Sequence, residues 1–176
     1  MKNIEVELKS FVSEERYQTL LTYFHKEAEF LGQDEQITYY FDCPEDFRIQ
    51  QSGNYSKICL KKGKVHDYQR EEYEVRCAKE DFEKLEKMFS LLGYKPEIKW
   101  FRNRHSFKWG DVDVAVDSTR GYGNIIELEK MSDETGKDRA LVELREKLNE
   151  LGIPLTPKEE FTEKFEYYKT HWQELV

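Results

Sequence analysis

Ile4-Glu5-Val6-Glu7-Leu8-Lys9 is the stretch on which the fold of this chain turns. Side chains alternate across a strand, so Ile4, Val6 and Leu8 share one face while Glu5, Glu7 and Lys9 share the other. The pattern returns at Ile126-Glu127-Leu128-Glu129 and, mid-chain, at Arg70-Glu71-Glu72-Tyr73-Glu74-Val75-Arg76, each with acids two residues apart. A chain that gives several strands one apolar and one ionic face is either wetting a sheet or lining a site.

Working outward, Ser13 is suited to cap a helix, with Glu14 and Glu15 in its first turn and Tyr17, Leu20, Leu21 and Phe24 at helical spacing; a helix over about 14–30 is expected. Residues 36–42 are rich in β-formers and stop at the turn signal Cys43-Pro44-Glu45-Asp46. A short strand Phe47–Gln50 turns through Ser52-Gly53-Asn54 into a strand Tyr55–Lys62 that ends at Gly63, as in a meander. A strand over 70–76 leads to a helix over about 79–92, closed by Gly93. Strands over 97–108, 111–118 and 124–130 bring the number to about eight, and helices over about 137–151 and from 158 onward end the chain, the last with Phe161, Phe165, Tyr168 and Trp172 on one face. Eight antiparallel strands is a size at which a sheet closes and loses its edges. The expectation is an α+β fold, a closed eight-stranded antiparallel barrel with helices packed outside, forming one domain over residues 1–176.

With 176 residues, 36% charged and 14% aromatic, the chain has enough large apolar side chains to fold as a globular protein. A net charge of −8 and a pI near 5.2 argue against a duplex nucleic-acid binder, which needs a basic surface for phosphates. No apolar run reaches the ~18 residues of a spanning helix and the N-terminus lacks a signal layout, so the expectation is no membrane and a cytoplasmic location. Cys43, Cys59 and Cys77 have no CxxC spacing and read as buried thiols; His25, His66, His105 and His171 form no cluster.

The acidic pairs Glu5/Glu7, Glu72/Glu74 and Glu127/Glu129 alternate along the chain with basic positions, Arg48, Lys57/Lys61 and Arg102/Arg104. If all these faces point into one barrel, the lumen holds many charges of both signs, which are tolerated only when paired with one another and with bound ions. Carboxylates suit hard cations such as Mg²⁺ or Mn²⁺, and Arg and Lys suit phosphate oxygens, so a metal–polyphosphate complex is the natural guest. Taken singly, each strand is equally well explained by a charged face in water. Residue types alone leave both readings open.

The order of these motifs resembles that of the CYTH proteins, the triphosphate tunnel metalloenzymes, which include class IV adenylyl cyclases and thiamine triphosphatases. Glu5-x-Glu7-x-Lys9 is similar to their ExExK signature, Tyr40-Phe41-Asp42-Cys43-Pro44 to their YFDTP turn, and Arg48-x-Gln50 stands at their RxR strand. Leu60–Gly63, Arg70–Glu74, Arg102-x-Arg104, Asp117, Gly121/Gly123 and Glu127-x-Glu129 continue the resemblance over nearly the whole chain. It implies a tunnel in which Glu5, Glu7, Asp117, Glu127 and Glu129 stand on the metal side. Lys9, Arg48, Lys57, Lys61, Arg102 and Arg104 would hold phosphates, joined by Lys164 near the C-terminus. Tyr40 and Lys61 fall where a Tyr–Lys pair assists hydrolysis in thiamine-triphosphatase relatives, and Arg70, Glu72 and Glu74 are further lumen candidates. The chain departs from the family at Gln50, where a second arginine is usual, at Cys59 between the two lysines, and at Phe165-Glu166 in place of a final Ser-Tyr.

Beside these stand plainer assignments: Trp100 and Trp109 pack at or cap the barrel mouth, His105 faces outward, and Lys62, Lys64 and Lys95 are solvated. The function expected is Mg²⁺- or Mn²⁺-dependent hydrolysis of inorganic triphosphate, thiamine triphosphate or a nucleoside triphosphate. Cyclisation of ATP to cyclic AMP is second, and non-catalytic binding of polyphosphate or nucleotide third. The expected partner is the small-molecule triphosphate, taken up by a monomer or homodimer.

Overall fold

The computed structural model describes residues 4–63 and 67–176, so Lys64 and His66 lie outside the described residues. In chain order the elements are β1 (Ile4–Val12), α1 (Glu14–Glu27), β2 (Glu29–Phe41), β3 (Asp46–Gln51), β4 (Tyr55–Lys61), β5 (Gln69–Ala78), α2 (Phe82–Leu91), β6 (Pro96–Trp109), β7 (Val112–Thr119), β8 (Gly123–Ser132), α3 (Lys137–Glu150) and α4 (Lys158–Leu175). The strands form a closed antiparallel ring in the order β1-β5-β4-β3-β2-β6-β7-β8. β2 to β5 and β6 to β8 are meanders, as the short loops suggest. β1 does not pair with its neighbour in sequence; it is wedged between β5 and β8, with Ile4 opposite Ser132 and Val12 opposite Asn124.

The apolar core lies outside the ring. Ile4, Val6 and Leu8 pack with Ile126, Leu128, Val114 and Val116 beneath Tyr17, Leu20 and Phe24 of α1 and Ala140, Leu144 and Leu148 of α3. Val6 and Leu8 are fully buried there, and a side chain of this kind contributes about 1.5–3 kcal/mol. α2 covers a second apolar patch, with Phe82 and Leu85 against Phe41 and Ile49. Alternation then leaves the ionic halves of the same strands no direction but inward.

Three sequence expectations are adjusted. The first helix stops at Glu27 rather than near 30, because Ala28 is already extended (φ −138°, ψ 161°), and β2 begins at Glu29. Its start, Glu29-Phe30-Leu31, is interrupted by Gly32 (φ 140°) at a register shift, so no alternating pattern marks it; Phe30 packs tilted against His25 at 4.6 Å and Phe107 at 5.3 Å. Of the cysteines, Cys59 alone among the described residues is fully buried, whereas Cys43 and Cys77 are half-buried, and all three are free thiols. Trp109 packs outside, edge-on to Phe24, and only Trp100 stands at an end of the lumen. His105 does face outward, with Nδ1 3.4 Å from the Tyr17 hydroxyl under α1. Lys62 and Lys95 are exposed. No helix among the described residues is long and apolar enough to cross a membrane.

Gly121, in the turn between β7 and β8, has φ 71°, and a Cβ there would lie 2.5 Å from Leu175 Cβ and 2.8 Å from its carbonyl oxygen. Gly110 has a similar φ of 64° but open space around it. Ala at Gly110 should therefore cost only backbone strain, about 1 kcal/mol, whereas Gly121→Ala should cost about 2–4 kcal/mol by also displacing the end of α4. Equal melting temperatures for the two variants would show that the end of α4 is not held against this turn.

Candidate active site in the barrel lumen

Residues directly opposed across a ladder share a face. Glu7 lies opposite Glu129 and Lys9 opposite Glu127, Arg104 opposite Asp117, and Lys61 opposite both Asp46 and Glu72. Glu5, Glu7, Arg102, Arg104, Glu127 and Glu129 accordingly line one cavity of about 250 Å³. Lys9, Tyr40, Arg48, Lys57, Lys61, Arg70, Glu72 and Glu74 line the same cavity. The solvated-face reading fails for these strands.

Every basic side chain of this lining is within ion-pair reach of a carboxylate. The carboxylate of Asp117 is shared by two arginines, accepting from Arg104 Nε at 2.9 Å and from Arg102 Nη1 at 3.2 Å. Glu127 accepts from Arg104 and stands 3.4 Å from Lys9. Burial opposes its ionisation, but Arg104, Lys9 and Arg102 outweigh burial and hold its carboxyl well below the usual range. On the opposite wall Asp46 plays the part of Asp117, its Oδ2 accepting from Arg48 Nη2 at 2.9 Å and from Arg70 Nη1 at 2.7 Å. Its side chain is fully buried and its carboxyl is held low, since Arg48, Arg70 and Lys61 overcome the effect of burial. Lys61 donates to both oxygens of Glu5 and lies 3.8 Å from Glu72, and Lys57 pairs with Glu74. Lys9 pairs with Glu7; burial, with Arg70 and Lys61 adding to it, pushes its ammonium down to about 8 although Glu127 acts the other way.

The carboxylates of Glu5, Glu7 and Glu129 each bring an oxygen within 4.8 Å of the others. Burial raises Glu129 first and the nearby charge of Glu5 next, to about 7, and no ion-pair partner for it is found among the described residues. Three converging carboxylates with one left uncompensated are an electrostatic deficit that a divalent cation relieves, and oxygen-only donors fit Mg²⁺ or Mn²⁺.

One end of the cavity is apolar. Trp100, Tyr122 and Ile125 meet Phe161 and Phe165 of α4, with Phe161 stacked 4.3 Å from Phe11. Burial pushes the Tyr122 phenol up, and its hydroxyl lies 3.5 Å from the Phe161 carbonyl oxygen. Arg48 Nε and Asp46 Oδ1 are buried without a hydrogen-bond partner among the described residues. A buried guanidinium N–H and carboxylate oxygen left unmatched carry a desolvation cost that the surrounding ion pairs must offset.

Some anticipated residues stand differently. Lys164 is not in the lining: α4 directs Phe161 and Phe165 at the tunnel end, so the Lys164 ammonium lies 3.9 Å over the Phe11 ring and 4.0 Å from Glu160, half-exposed. Tyr40 and Lys61 share the cavity, but the Tyr40 hydroxyl accepts from Arg48 Nη1 at 2.9 Å while Lys61 is engaged by Glu5. Cys59 does sit among the lumen bases, 3.2 Å from Glu72, its thiol pushed up to about 11 by burial with Glu72 contributing. Asp46 was taken for turn signal alone; its spacing two residues before Arg48, which puts both on one face of β3, is the signal that marks it.

The CYTH domain profile matches residues 3–162. A Methanocaldococcus jannaschii protein named as a candidate adenylate cyclase is 29% identical over 131 residues, 74% of this chain and 73% of its own. A conserved hypothetical protein of Pyrococcus furiosus superposes with a TM-score of 0.73 at 28% identity, covering 85% of this chain and 91% of its own. A Hippeastrum protein described as a candidate adenylyl cyclase with a dominant triphosphatase activity shares the fold at a TM-score of 0.63 and 20% identity, over 86% and 88% of the two chains. With a closed ring of eight antiparallel strands, an ionic lumen and a family match over most of its length, the chain belongs to the CYTH domain family.

Proposed function

We propose that the chain is a divalent-metal-dependent phosphohydrolase acting on a triphosphate compound bound in the barrel lumen. The observation that carries this reading is one enclosed cavity in which seven basic side chains, Lys9, Arg48, Lys57, Lys61, Arg70, Arg102 and Arg104, surround the three-carboxylate cluster of Glu5, Glu7 and Glu129. Guanidinium and ammonium groups on several walls suit a linear polyanion better than a compact one. A Mg²⁺ or Mn²⁺ ion held by Glu5, Glu7 and Glu129 would supply Lewis-acid neutralisation at a phosphoryl group. Arg102 and Arg104, fixed by Asp117 and Glu127, are pre-organised to take the charge that grows on the leaving phosphate. Arg48 and Arg70 face them from the other wall, and Phe161 and Phe165 exclude water from the far end. Asp117 and Glu127 lie on the metal side in the sequence-based assignment; their pairing with Arg102, Arg104 and Lys9 favours a role in holding the phosphate-binding arginines instead.

The names of relatives support a second reading, conversion of ATP to cyclic AMP and pyrophosphate. Tyr40, Trp100 and Phe165 offer aromatic faces at the tunnel end, with Tyr40 and Trp100 centroids 6.1 Å apart. Hydrolysis is preferred because it asks only for the phosphate and metal groups already gathered in the lumen. Incubation with tripolyphosphate, thiamine triphosphate and ATP in Mg²⁺ or Mn²⁺ should release orthophosphate and lose that activity in excess chelator. Cyclic AMP as the main product would transfer the assignment to the cyclase, and binding without turnover would make the chain a binder.

Glu129→Gln should lower turnover by about 10²-fold or more while leaving the melting temperature within a few degrees, since it touches only the carboxylate cluster. Undiminished turnover by that variant would remove the cluster from the reaction.

Lys61→Arg separates clamp from base. Its ammonium already donates to Glu5, so arginine, which keeps the charge, should retain activity within about tenfold. A collapse of the rate with substrate binding preserved would instead assign proton transfer to Lys61, because a guanidinium cannot give up its proton.

A further inference from the structure

Each lining cation of the lumen has a carboxylate within 4 Å, and the arginines are organised as two bridges, Arg102 and Arg104 through Asp117 and Arg48 and Arg70 through Asp46. The two bridges are not alike. Arg104 meets both oxygens of Asp117, through Nε to Oδ1 and Oδ2, whereas Asp46 uses Oδ2 alone for both of its arginines. Its Oδ1 and the Nε of Arg48 are left buried and unmatched. β3 therefore lines the lumen with Arg48 and Gln50 and carries Asp46 buried on the same face, one base, one neutral amide and one acid, so it adds no net positive charge to the wall it forms.

We propose that Asp46 makes capture of a triphosphate conditional on a divalent cation: shared between Arg48 and Arg70, with Glu5 also near Arg70, its charge weakens the attraction of both guanidinium groups for an anion in the metal-free lumen. The inference rests on the triphosphate reading of this lumen. An entering polyanion meets the carboxylates of Glu5, Glu7 and Glu129, while Asp46, fully buried behind Arg48 and Arg70, weakens the pull of those two guanidinium groups in a low-dielectric space. Glu5, Glu7 and Glu129 would hold a divalent cation, whose charge would offset theirs and favour the phosphates. Glu5, 3.7 Å from Arg70 Nη2, is the carboxylate through which the cation site and this bridge are linked. Asp46 is thus a positioning residue, acting on the phosphates through Arg48 and Arg70.

Calorimetric titration of tripolyphosphate into the full chain, with Mg²⁺ and again in excess chelator, tests the proposal. The wild-type chain should bind with Mg²⁺ and bind about tenfold more weakly, or not at all, without it. Asp46→Asn, close in shape and without the charge, should gain about tenfold or more in metal-free affinity, and Asp46→Glu, which keeps the charge, should not. Loss of structure weakens binding, so a gain cannot arise from a merely structural role. Equal wild-type affinity in the two conditions overturns the proposal whether or not the variants fold. A folded Asp46→Asn chain with no metal-free gain overturns the assignment to Asp46. Absence of tripolyphosphate binding by the wild-type chain in Mg²⁺ overturns the triphosphate reading and this inference with it, and is told apart from the other failures by that condition alone.

Discussion

The sharing of one carboxylate between two arginines, seen at Asp117 with Arg102 and Arg104 and at Asp46 with Arg48 and Arg70, is the interaction on which the rest of this structure depends. A small closed barrel ordinarily fills its interior with apolar side chains. Here the interior is ionic, and unpaired charges of this number in a buried space would cost more than the whole stability of a domain. Pairing them across strands removes most of that cost and fixes each guanidinium in one orientation. The result is a lumen whose donors are set in place before any ligand arrives.

That interior is possible because the apolar halves of the same strands are used elsewhere. Val6, Leu8, Ile126 and Leu128 face α1 and α3, so hydrophobic burial is supplied by a shell outside the ring. β1 carries both functions in a few residues, its odd positions Glu5, Glu7 and Lys9 in the lumen and its even positions in the core, and it closes the ring between β5 and β8. A slip of one residue in its register would exchange the two sets, putting carboxylates under α3 and aliphatic groups in the lumen. Register is therefore specified from both faces at once. This explains how a strand joined to β5 over only Ile4–Val6 can be placed unambiguously.

Much of this was legible in the sequence because the code for it has a period of two. Alternation at Glu5/Glu7/Lys9, Arg102/Arg104 and Glu127/Glu129 gave the strands, their faces and the convergence of these side chains on one cavity. What escaped lacked that period or lay under a competing signal. The first residues of β2 do not alternate, carry Gly32 and follow a helix without a glycine stop, so tertiary packing of Phe30 against His25 and Phe107 defines them. Asp46 adjoins Pro44 in a turn-like run, and local turn chemistry hid its membership of β3. Lys164 shows the opposite error: sequence position near the C-terminus suggested a lumen role, while the rotation of α4, fixed by Phe161, Phe165 and Tyr168, turns it toward Phe11 and Glu160.

The departures of this chain from its family then acquire one physical meaning. Gln50 leaves a neutral amide where the family usually has an arginine on β3, and Cys59 on β4 keeps a neutral thiol between Lys57 and Lys61; Asp46, not itself a departure, adds a carboxylate to β3, so that all of them bear on the charge of one wall. All three lie on two adjacent strands of one wall. The opposite wall keeps Arg102 and Arg104, with Glu127 and Asp117 behind them. The two walls differ in charge: β3 and β4 carry Arg48, Lys57 and Lys61 with Asp46, whereas β6 to β8 carry Arg102 and Arg104 with Asp117, Glu127 and Glu129. Beside the β3–β4 wall stands Tyr40, whose hydroxyl is tied to Arg48. Arg48 is held by one hydrogen bond to Asp46 and one to the Tyr40 hydroxyl, whereas Arg104 meets both oxygens of Asp117, and Glu127 as well, so the two walls fix their guanidinium groups to different degrees.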